Sequence, residues 1–394
     1  MRDSFCSVAA CSNNPNWSNI VSRRSDLYIR NNSIRSDFER DFTRIINSQG
    51  YRRLKHKTQV FFSPSNDHVC TRIEHVALVE SISYTIANYL GLNTELTKAI
   101  AVAHDIGHSP FGHQGEKILS SISKREFDGS FWHEKNGLVL VDDIELLENP
   151  DGFFENLNLT YAVRDGIVSH CGEIDENCIK PRSEFIDLND YLFPNQFAPY
   201  TWEGCVVKVA DKISYLGRDI IDGISLGILS ADDLLELRHI LNISDDVKIN
   251  NTVIINNLIS DLCENSSIDK GLCFSDEMFH KMNELKRFNY EKIYLSPKLE
   301  ISVPYFSLVL NCIFDVLKNC FYDKNRMLKI CPDLVNDFYS WLACYWSLPR
   351  DDKFNNAAIF NINSAKDFSR AIILYISGMT DNYAMSMYEK VIGF

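Results

Sequence analysis

The stretch HDIGHSPFGHQGE, residues 104–116, holds three histidines and two carboxylates within thirteen positions, and it follows the apolar helical run AIAVA. His104 and Asp105 are adjacent at the end of that run, and His108 follows about one helical turn later. Buried histidine and aspartate side chains without partners destabilise a protein, so a bound metal or a polar substrate is the economical explanation of this cluster. The sequence therefore predicts a functional site here; the alternative is a polar cluster in the core whose members satisfy one another.

Apolar residues at helical spacing on both sides of this stretch predict a mostly α fold. The predicted helices cover 35–54, 71–91, 94–108, 204–224, 231–241, 251–265, 275–288, 305–323 and 364–379. The segments Ser63–Asp67 and Asp187–Pro199 are predicted to be loops, and ISVPYF (301–306) is a short strand candidate. We expect one compact domain with an N-terminal tail or packing arm (1–34), a catalytic core (35–225) and a C-terminal helical region that packs on the core (226–394).

The composition is that of an ordinary globular protein: 394 residues, 45% hydrophobic, with a net charge of −13. An acidic surface repels nucleic acid at long range, although the basic run Arg52–Lys57 is a candidate for a local pocket that accepts a polyanionic substrate. The chain begins without a signal-peptide pattern and has no uninterrupted apolar run of about 18 residues, which predicts a cytoplasmic protein. Twelve scattered cysteines with no CxxC pair predict reduced thiols.

Four side chains are candidate metal ligands: His75, His104, Asp105 and Asp211. His75 lies on the preceding predicted helix, which can return antiparallel across a turn at Gly91, and Asp211 lies on a later helix. Two imidazoles and two carboxylates suit a divalent ion such as Mn, Mg, Fe or Ni, and they leave positions open for water. Taken singly, His75 is more often a packing residue and Asp211 a surface charge, so the prediction depends on the combination.

The chain resembles the HD-domain superfamily and, within it, the deoxynucleoside triphosphate triphosphohydrolases (the dGTPase-like family). The resemblance lies in RSDFERDFTRIINSQGYRRLKHKTQVF (35–61), TRIEHVALV (71–79), AHDIGHSPFGHQGE (103–116), FWHE (131–134) and ADKISYLGRDIID (210–222), with weaker similarity in GMTDNYA (378–384). An HD pair alone is a weak signal, but this combination is specific. It implies an HD-domain helical fold with an additional C-terminal helical region. It also implies metal-dependent cleavage of dGTP, or of several dNTPs, into deoxynucleoside and inorganic triphosphate.

By the same resemblance, the four candidate ligands hold the metal, His113 protonates the 5′-leaving oxygen and Glu116 orients His113. His108 and His133 match further family histidines near the phosphates, with a smaller expected part in the chemistry. A protonated imidazole beside a carboxylate is a suitable general acid for an alkoxide leaving group.

The resemblance also assigns the substrate contacts. Arg72 and Lys212 match phosphate ligands, which the charge of a triphosphate requires beyond one metal ion. Tyr215 would pack against the deoxyribose, and Asp219 with Gln59 would bind the 3′-hydroxyl. Asp211, Tyr215 and Asp219 are spaced i, i+4 and i+8, so they line one side of a helix. Tyr383 would approach the base or the triphosphate, although a packing role explains it equally well.

Two other readings stay open. Another HD phosphohydrolase, such as a 5′-nucleotidase or a cyclic-nucleotide phosphodiesterase, would share the metal ligands but not need the substrate-binding set. A catalytically silent nucleotide sensor or nucleic-acid-binding protein would not need the intact His113 and Glu116. The family resemblance further implies a homo-oligomer (a hexamer or tetramer), and it leaves room for an allosteric nucleotide and a weak single-stranded DNA contact, with no membrane partner.

Overall fold

The structure is a computed structural model and describes residues 5–26, 34–62, 69–171, 176–244, 248–347, 349–361 and 363–393. Helices dominate these ranges, which confirms the predicted mostly α class. Across the same ranges there is a single sheet, formed by the antiparallel strands β1 (Leu146–Glu148) and β2 (Phe154–Asn156). The predicted loop Ser63–Asp67 lies outside the described residues.

The helices of the first part of the chain are α1 Trp17–Ile20, α2 Asp37–Asn47, α3 Gln49–Arg53, α4 Arg72–Leu90, α5 Thr94–Ala103, α6 Gly112–Phe127, α7 His133–Val139, α8 Tyr161–Ser169 and α9 Trp202–Ser225. Those of the second part are α10 Ala231–Leu241, α11 Asn251–Asn265, α12 Asp276–Phe288, α13 Pro297–Glu300, α14 Val303–Ile330, α15 Pro332–Leu342, α16 Ala365–Ser377 and α17 Asp381–Ile392. Short 3₁₀ segments cover Phe5–Ser7, Leu54–His56, His104–Gly107 and Leu188–Asp190, and π segments cover Leu140–Ile144 and Asn289–Tyr294.

Local sequence signals define the helix pair that leads to residues 104–116. Thr71 and Glu74 form a capping box at the start of α4, and Gly91 ends that helix in the left-handed conformation with φ 78°. The Asn93 side chain then accepts hydrogen bonds from the first amides of α5. The predicted turn at Gly91 is confirmed, and it packs α4 against α5.

Two predicted elements are wrong. The single helix expected over 35–54 is interrupted at Ser48, whose backbone is extended (φ −68°, ψ 155°) and whose hydroxyl accepts the Tyr51 N–H at 3.2 Å. The strand candidate ISVPYF instead leads into α14, with Pro304 in its first turn. Proline is well tolerated there because the first helical amides have no intrahelical partner.

The prediction that all cysteines are reduced is also wrong for one pair, because Cys178 and Cys273 form a disulfide. Ile179 pairs with Leu272 in an antiparallel bridge, which places the two neighbouring cysteines side by side. Their separation of 95 residues hides this contact from a reading of the sequence.

Buried apolar side chains form two clusters. The first joins the N-terminal residues, α2, α4, α5 and α8–α12, and it includes Phe5 and Ile20, so the described part of the N-terminal segment packs as an arm. The second joins α14–α17 with α6, through Leu119 and Ile122. Residues 104–116 therefore connect the two cores. The domain limits at residues 34 and 225 stay predictions.

Within the described residues, the stretch Pro297–Ile330 is long and apolar enough to cross a membrane, judged by length and composition alone. Phe306, Leu310 and Phe314 from this stretch are fully buried in the second core. These three residues pack against α6 and α15–α17, and 28% of the apolar window of this stretch is buried inside the protein.

Candidate metal centre

The four predicted metal ligands come from three neighbouring elements. His75 lies on α4, His104 and Asp105 lie on the 3₁₀ turn that follows α5, and Asp211 lies on α9. The helices α4, α5 and α9 pack against one another, which carries these distant sequence positions to one place. The first three side chains are buried and Asp211 is half-buried, so the site has one side open to solvent.

The ligand atoms of these four residues converge. The Nε2 atom of His75 is 3.0 Å from Oδ1 of Asp211, and the Nε2 atom of His104 is 3.8 Å from the same oxygen. Asp105 lies 3.6 Å from His104 and 3.7 Å from His75. The structure therefore brings together all four predicted ligands.

The contacts of the two imidazoles at Nδ1 direct their Nε2 atoms toward the carboxylates. The Nδ1 atom of His104 donates to the Ala101 carbonyl at 2.7 Å, which leaves a lone pair on Nε2. Within the described part of the chain this buried Nε2 atom has no hydrogen-bond partner. The Nδ1 atom of His75 contacts the Ser214 hydroxyl at 3.1 Å, so its Nε2 atom also faces the carboxylates. A buried nitrogen without a partner beside two carboxylates fits a divalent cation.

Both carboxylates are ionised, as metal ligation requires. Burial alone would raise the pKa of Asp105, but Arg72 and the surrounding imidazoles hold it well below its usual range. Burial alone would also raise the pKa of Asp211, but a hydrogen bond with His75 and the nearby His104 lower it to about 2.

Arg72 contacts the candidate metal ligand Asp105 directly. Its Nη1 donates to Asp105 at 2.8 Å and its Nη2 donates to the Gln59 carbonyl at 3.4 Å, while the side chain is almost completely buried. Among the described residues, the Nε atom of Arg72 and the Oε1 atom of Gln59 have no hydrogen-bond partner. Arg72 therefore orients Asp105 and still has a donor for an anion.

A second group of histidines lies beside the ligands. The ring of His108 stacks on His133 at 3.8 Å, and its Nε2 is 3.0 Å from Asp105. Glu116 lies 2.9 Å from Nδ1 of His133 but 4.0 Å from Nδ1 of His113. The nearer imidazole partner of Glu116 is therefore His133, whereas the family resemblance pairs Glu116 with His113.

The two stacked imidazoles differ in charge. Despite its burial, His133 has a pKa raised well above its usual value by Glu134, by a hydrogen bond with Cys171 and by Glu116. Burial and the positive charge of Arg72 lower the pKa of His108 well below its usual value. His133 therefore favours the imidazolium form, and His108 favours the neutral form. The contribution of Glu134, at 3.3 Å from His133, was not predicted from the sequence.

His170 is a further residue that sequence reasoning left without a role. Its Nδ1 donates to the Ile167 carbonyl at 2.7 Å, the same arrangement as in His104, and its ring lies 5.0 Å from that of His104. Its side chain, with His104 and Asp105, could also hold a metal ion. The available signal was its position at the end of an apolar helix, α8, as His104 follows α5.

The predicted sugar-binding face lies on α9. Tyr215 is half-buried and Asp219 is buried one turn further along. The Tyr294 hydroxyl donates to Asp219 at 2.5 Å from the end of the π segment Asn289–Tyr294, a contact that the sequence did not indicate. Burial raises the pKa of Asp219 to about 7.

The remaining predicted positions are more dispersed. Lys212 is buried and borders a small cavity with Glu176 and Asn177. The Tyr383 hydroxyl lies 2.7 Å from Asp337 and 3.1 Å from Tyr375, all within the C-terminal helices. The substrate roles of Lys212 and Tyr383 stay predictions.

Two charges of the basic run Arg52–Lys57 have partners or burial inside the protein. Lys57 is buried, and Arg53 pairs with Glu145. The local pocket for a polyanionic substrate stays a prediction.

The raised pKa of Asp219 predicts a pH-dependent stability. The folded protein binds a proton at Asp219 up to about pH 7, whereas an unfolded carboxyl loses it near pH 4. This contribution is complete below pH 4 and is lost as the pH rises through 7. We expect the melting temperature to fall between pH 5 and 8 by roughly 3–5 °C more in the wild type than in Asp219→Asn. If the melting temperatures of the two proteins change in parallel across this pH range, the raised pKa of Asp219 is contradicted.

A family model described as the HD domain matches residues 72–216. A deoxyguanosinetriphosphate triphosphohydrolase-like protein of Caldanaerobacter subterraneus subsp. tengcongensis is 33% identical, over 91% of this chain and 85% of its own length. Proteins of the same description from Desulfatibacillum aliphaticivorans and Rickettsia felis are 32% and 30% identical, again over 91% of this chain and over 88% and 92% of their own lengths. The match confirms the predicted HD-domain fold, to which α10–α17 add a C-terminal helical region.

Proposed function

Because this chain belongs to the deoxyguanosinetriphosphate triphosphohydrolase-like family of HD-domain proteins, we propose that it hydrolyses dGTP, or several dNTPs, to deoxynucleoside and inorganic triphosphate. The observation that carries the proposal is the convergence of four ligand atoms, with the unpartnered Nε2 of His104 among them, beside Arg72 and the histidine group. A simple packing role would not leave such a nitrogen buried beside two carboxylates.

His75, His104, Asp105 and Asp211 would hold a divalent ion of the Mn, Mg or Fe type. When bound, such an ion lowers the pKa of a water ligand and screens the charge of a phosphate. Arg72 keeps Asp105 ionised and aimed at the site, and its Nε atom is free among the described residues to contact a phosphate oxygen.

The histidine group supplies the proton chemistry. His133 carries a standing positive charge beside the phosphates because Glu116 and Glu134 stabilise its imidazolium form. The His113 side chain faces solvent on one side. Partial burial of its imidazole, followed by the positive charges of Arg72 and His133, lowers the pKa of His113 to about 4 in the free protein. A bound triphosphate brings about four negative charges, which reverse that effect and let His113 hold a proton for the 5′-oxygen.

The α9 face supplies the sugar contacts. Tyr215 would pack against the deoxyribose where a ribose would carry its 2′-hydroxyl, and Asp219 with Gln59 would bind the 3′-hydroxyl. The hydroxyl of Tyr294 holds the Asp219 carboxyl in one orientation, which favours a fixed contact with the sugar.

Replacing Tyr215 by Ala should reduce the preference for deoxyribonucleotides. Removal of the ring opens space for a 2′-hydroxyl, so we expect the ratio of kcat/KM for dGTP to that for GTP to fall about tenfold. Tyr322→Ala, which removes an exposed tyrosine from α14, is the matched control and should leave the ratio unchanged. An unchanged ratio in Tyr215→Ala would place sugar selection elsewhere.

Product analysis tests the reaction. The purified protein is incubated with Mn or Mg and each dNTP, singly and mixed, and the products are separated by ion-exchange chromatography. Deoxynucleoside with inorganic triphosphate supports the proposal, and turnover only in the mixture points to an allosteric nucleotide. Monophosphate, inorganic phosphate or no turnover with any metal would contradict it and favour another HD phosphohydrolase or a nucleotide sensor.

Family membership also supports a proposal for the location and assembly of the protein. We propose a cytoplasmic homo-oligomer, either a hexamer or a tetramer, with at most a weak contact to single-stranded DNA. The net charge of −13 favours small anionic ligands held in a local site over broad nucleic-acid binding.

A further inference from the structure

The turn that leads from the metal ligands to α6 has an unusual backbone. Phe111 has φ 62° and Gly112 has φ 56°, so two consecutive residues are left-handed. Glycine adopts this conformation readily, but a bulky residue such as phenylalanine does so only when its surroundings hold it there. This turn sets the direction in which α6 begins, and α6 carries His113 and Glu116.

One carboxylate holds this turn. Oδ1 of Asp381, at the start of α17, accepts the Phe111 N–H at 2.9 Å. Its Oδ2 accepts the Thr58 N–H at 2.9 Å and also the Thr58 hydroxyl, next to Gln59. Asp381 is only 4% exposed, so both oxygens interact away from bulk water. A C-terminal side chain thus joins the two segments that carry the proposed acid group and a proposed sugar ligand.

Two buried side chains beside Asp381 hold the preceding residues of the turn. Lys57 donates from Nζ to the carbonyls of His108 and Ser377, the latter at 2.8 Å. Asn136 donates from Nδ2 to the Gly107 carbonyl at 2.7 Å and to the Ser377 hydroxyl at 3.1 Å. The link between α16 and α17 is therefore tied to the catalytic turn at residues 107, 108 and 111.

The ring of Phe111 completes the attachment. It stacks on Phe306 of α14 with ring centroids 4.3 Å apart and an interplanar angle of 6°, and it meets Phe62 edge-on. These ring contacts fix the side chain of Phe111 against the C-terminal core, but they do not satisfy its backbone N–H. That N–H therefore depends on its hydrogen bond to Asp381.

We propose that Asp381 is a positioning residue, which holds Phe111 in its left-handed conformation and thereby places His113 and Glu116 against the metal centre. Through Thr58 the same carboxylate also places Gln59. The functional consequence of this inference rests on the proposed function, whereas the structural consequence does not. The C-terminal helical region would accordingly help to determine catalytic geometry through Asp381, a side chain that does not itself touch the substrate.

Steady-state kinetics of Asp381→Ala and Asp381→Asn test the functional consequence. Alanine leaves the amides of Phe111 and Thr58 unpaired, whereas asparagine can still accept one of them. We expect kcat per metal-loaded site to fall roughly 10²-fold in the alanine variant and roughly tenfold in the asparagine variant, as a misplaced catalytic group produces. KM should change less than about threefold and the metal content should stay near that of the wild type, because His75, His104 and Asp211 do not contact Asp381.

Asp367→Asn is the matched control. Asp367 is another first-turn aspartate of the C-terminal helices, and it accepts a loop amide from Asn361 at 2.9 Å. This variant loses the same charge in the same region and should keep the wild-type kcat. An equal kcat per metal-loaded site in wild type, Asp381→Ala and Asp381→Asn would overturn the proposal, whatever the change in melting temperature.

Hydrogen exchange tests the structural consequence independently of activity. We expect faster exchange in a peptide covering 108–116 of Asp381→Ala, with no change in a peptide covering 204–220 of α9. Unchanged exchange in 108–116 would overturn the positioning role. If the wild type hydrolyses no dNTP, the proposed function fails, and the exchange result still decides whether Asp381 holds the turn.

Discussion

Asp211→Asn should abolish turnover and release the metal, with kcat lower by at least roughly 10³-fold. Asp211 lies 3.0 Å from His75 and 3.8 Å from His104, so it is the carboxylate shared by both imidazoles. The amide has nearly the same volume but carries no negative charge, so a divalent ion loses an anionic ligand with little change in packing. The metal content per chain, determined by mass spectrometry after gel filtration, and the initial rate with dGTP measure the effect.

Asp222→Asn is the matched control on the same helix. Asp222 is buried and lies 3.6 Å from Arg218, away from the candidate ligands. We expect this variant to bind metal and to turn over like the wild type. Full activity in Asp211→Asn, or equal losses in the two variants, would show that the metal centre lies elsewhere.

The second large effect is expected from Glu116→Gln, which should lower kcat by roughly 10²-fold and displace the pH profile. The charge of Glu116, 2.9 Å from Nδ1 of His133, helps to raise the pKa of His133. If activity needs the imidazolium form, the rate declines as the pH rises through this pKa. Removing the charge lowers the pKa of His133, so the decline should begin at a lower pH in the variant. The dependence of kcat on pH, measured from pH 6 to 10 in the wild type and in Glu116→Gln, tests whether the decline begins at a lower pH in the variant.

Glu126→Gln is a suitable control because Glu126 lies on the same helix and pairs with Lys318 at 2.6 Å, remote from the histidines. Its kcat and pH profile should match those of the wild type. An unshifted alkaline limb in Glu116→Gln would mean that His133 is not the group whose protonation limits the rate.

Short-range sequence patterns predicted much of the fold. The capping box at Thr71, the left-handed stop at Gly91 and the cap at Asn93 each depend on neighbouring residues, so α4 and the start of α5 were predicted closely. The predicted end of the second helix at residue 108 was wrong, because α5 ends at Ala103 and a 3₁₀ turn follows. The break at Ser48 also depends on neighbouring residues, but a serine within an amphipathic pattern does not indicate whether it continues one helix or caps the next.

The candidate metal ligands were predictable for a related reason. His104 and Asp105 are adjacent at the end of an apolar helix, and the family resemblance supplied His75 and Asp211, whose convergence the structure then displayed. No short sequence pattern predicts contacts between segments that are far apart in the chain. Tyr294 reaches Asp219 from 75 residues away, and nothing in its own neighbourhood marks it as part of a site.

By itself the sequence determined the helical class, the turn between α4 and α5 and the set of candidate metal ligands, because periodicity, capping and motif spacing are properties of short segments. Only the tertiary structure decided which partner each buried charge has: Glu116 with His133, Arg72 with Asp105, and Asp381 with the turn at Phe111. The physical reason is that a buried charge or amide must be satisfied by whichever group the packing of separate helices brings within hydrogen-bond distance.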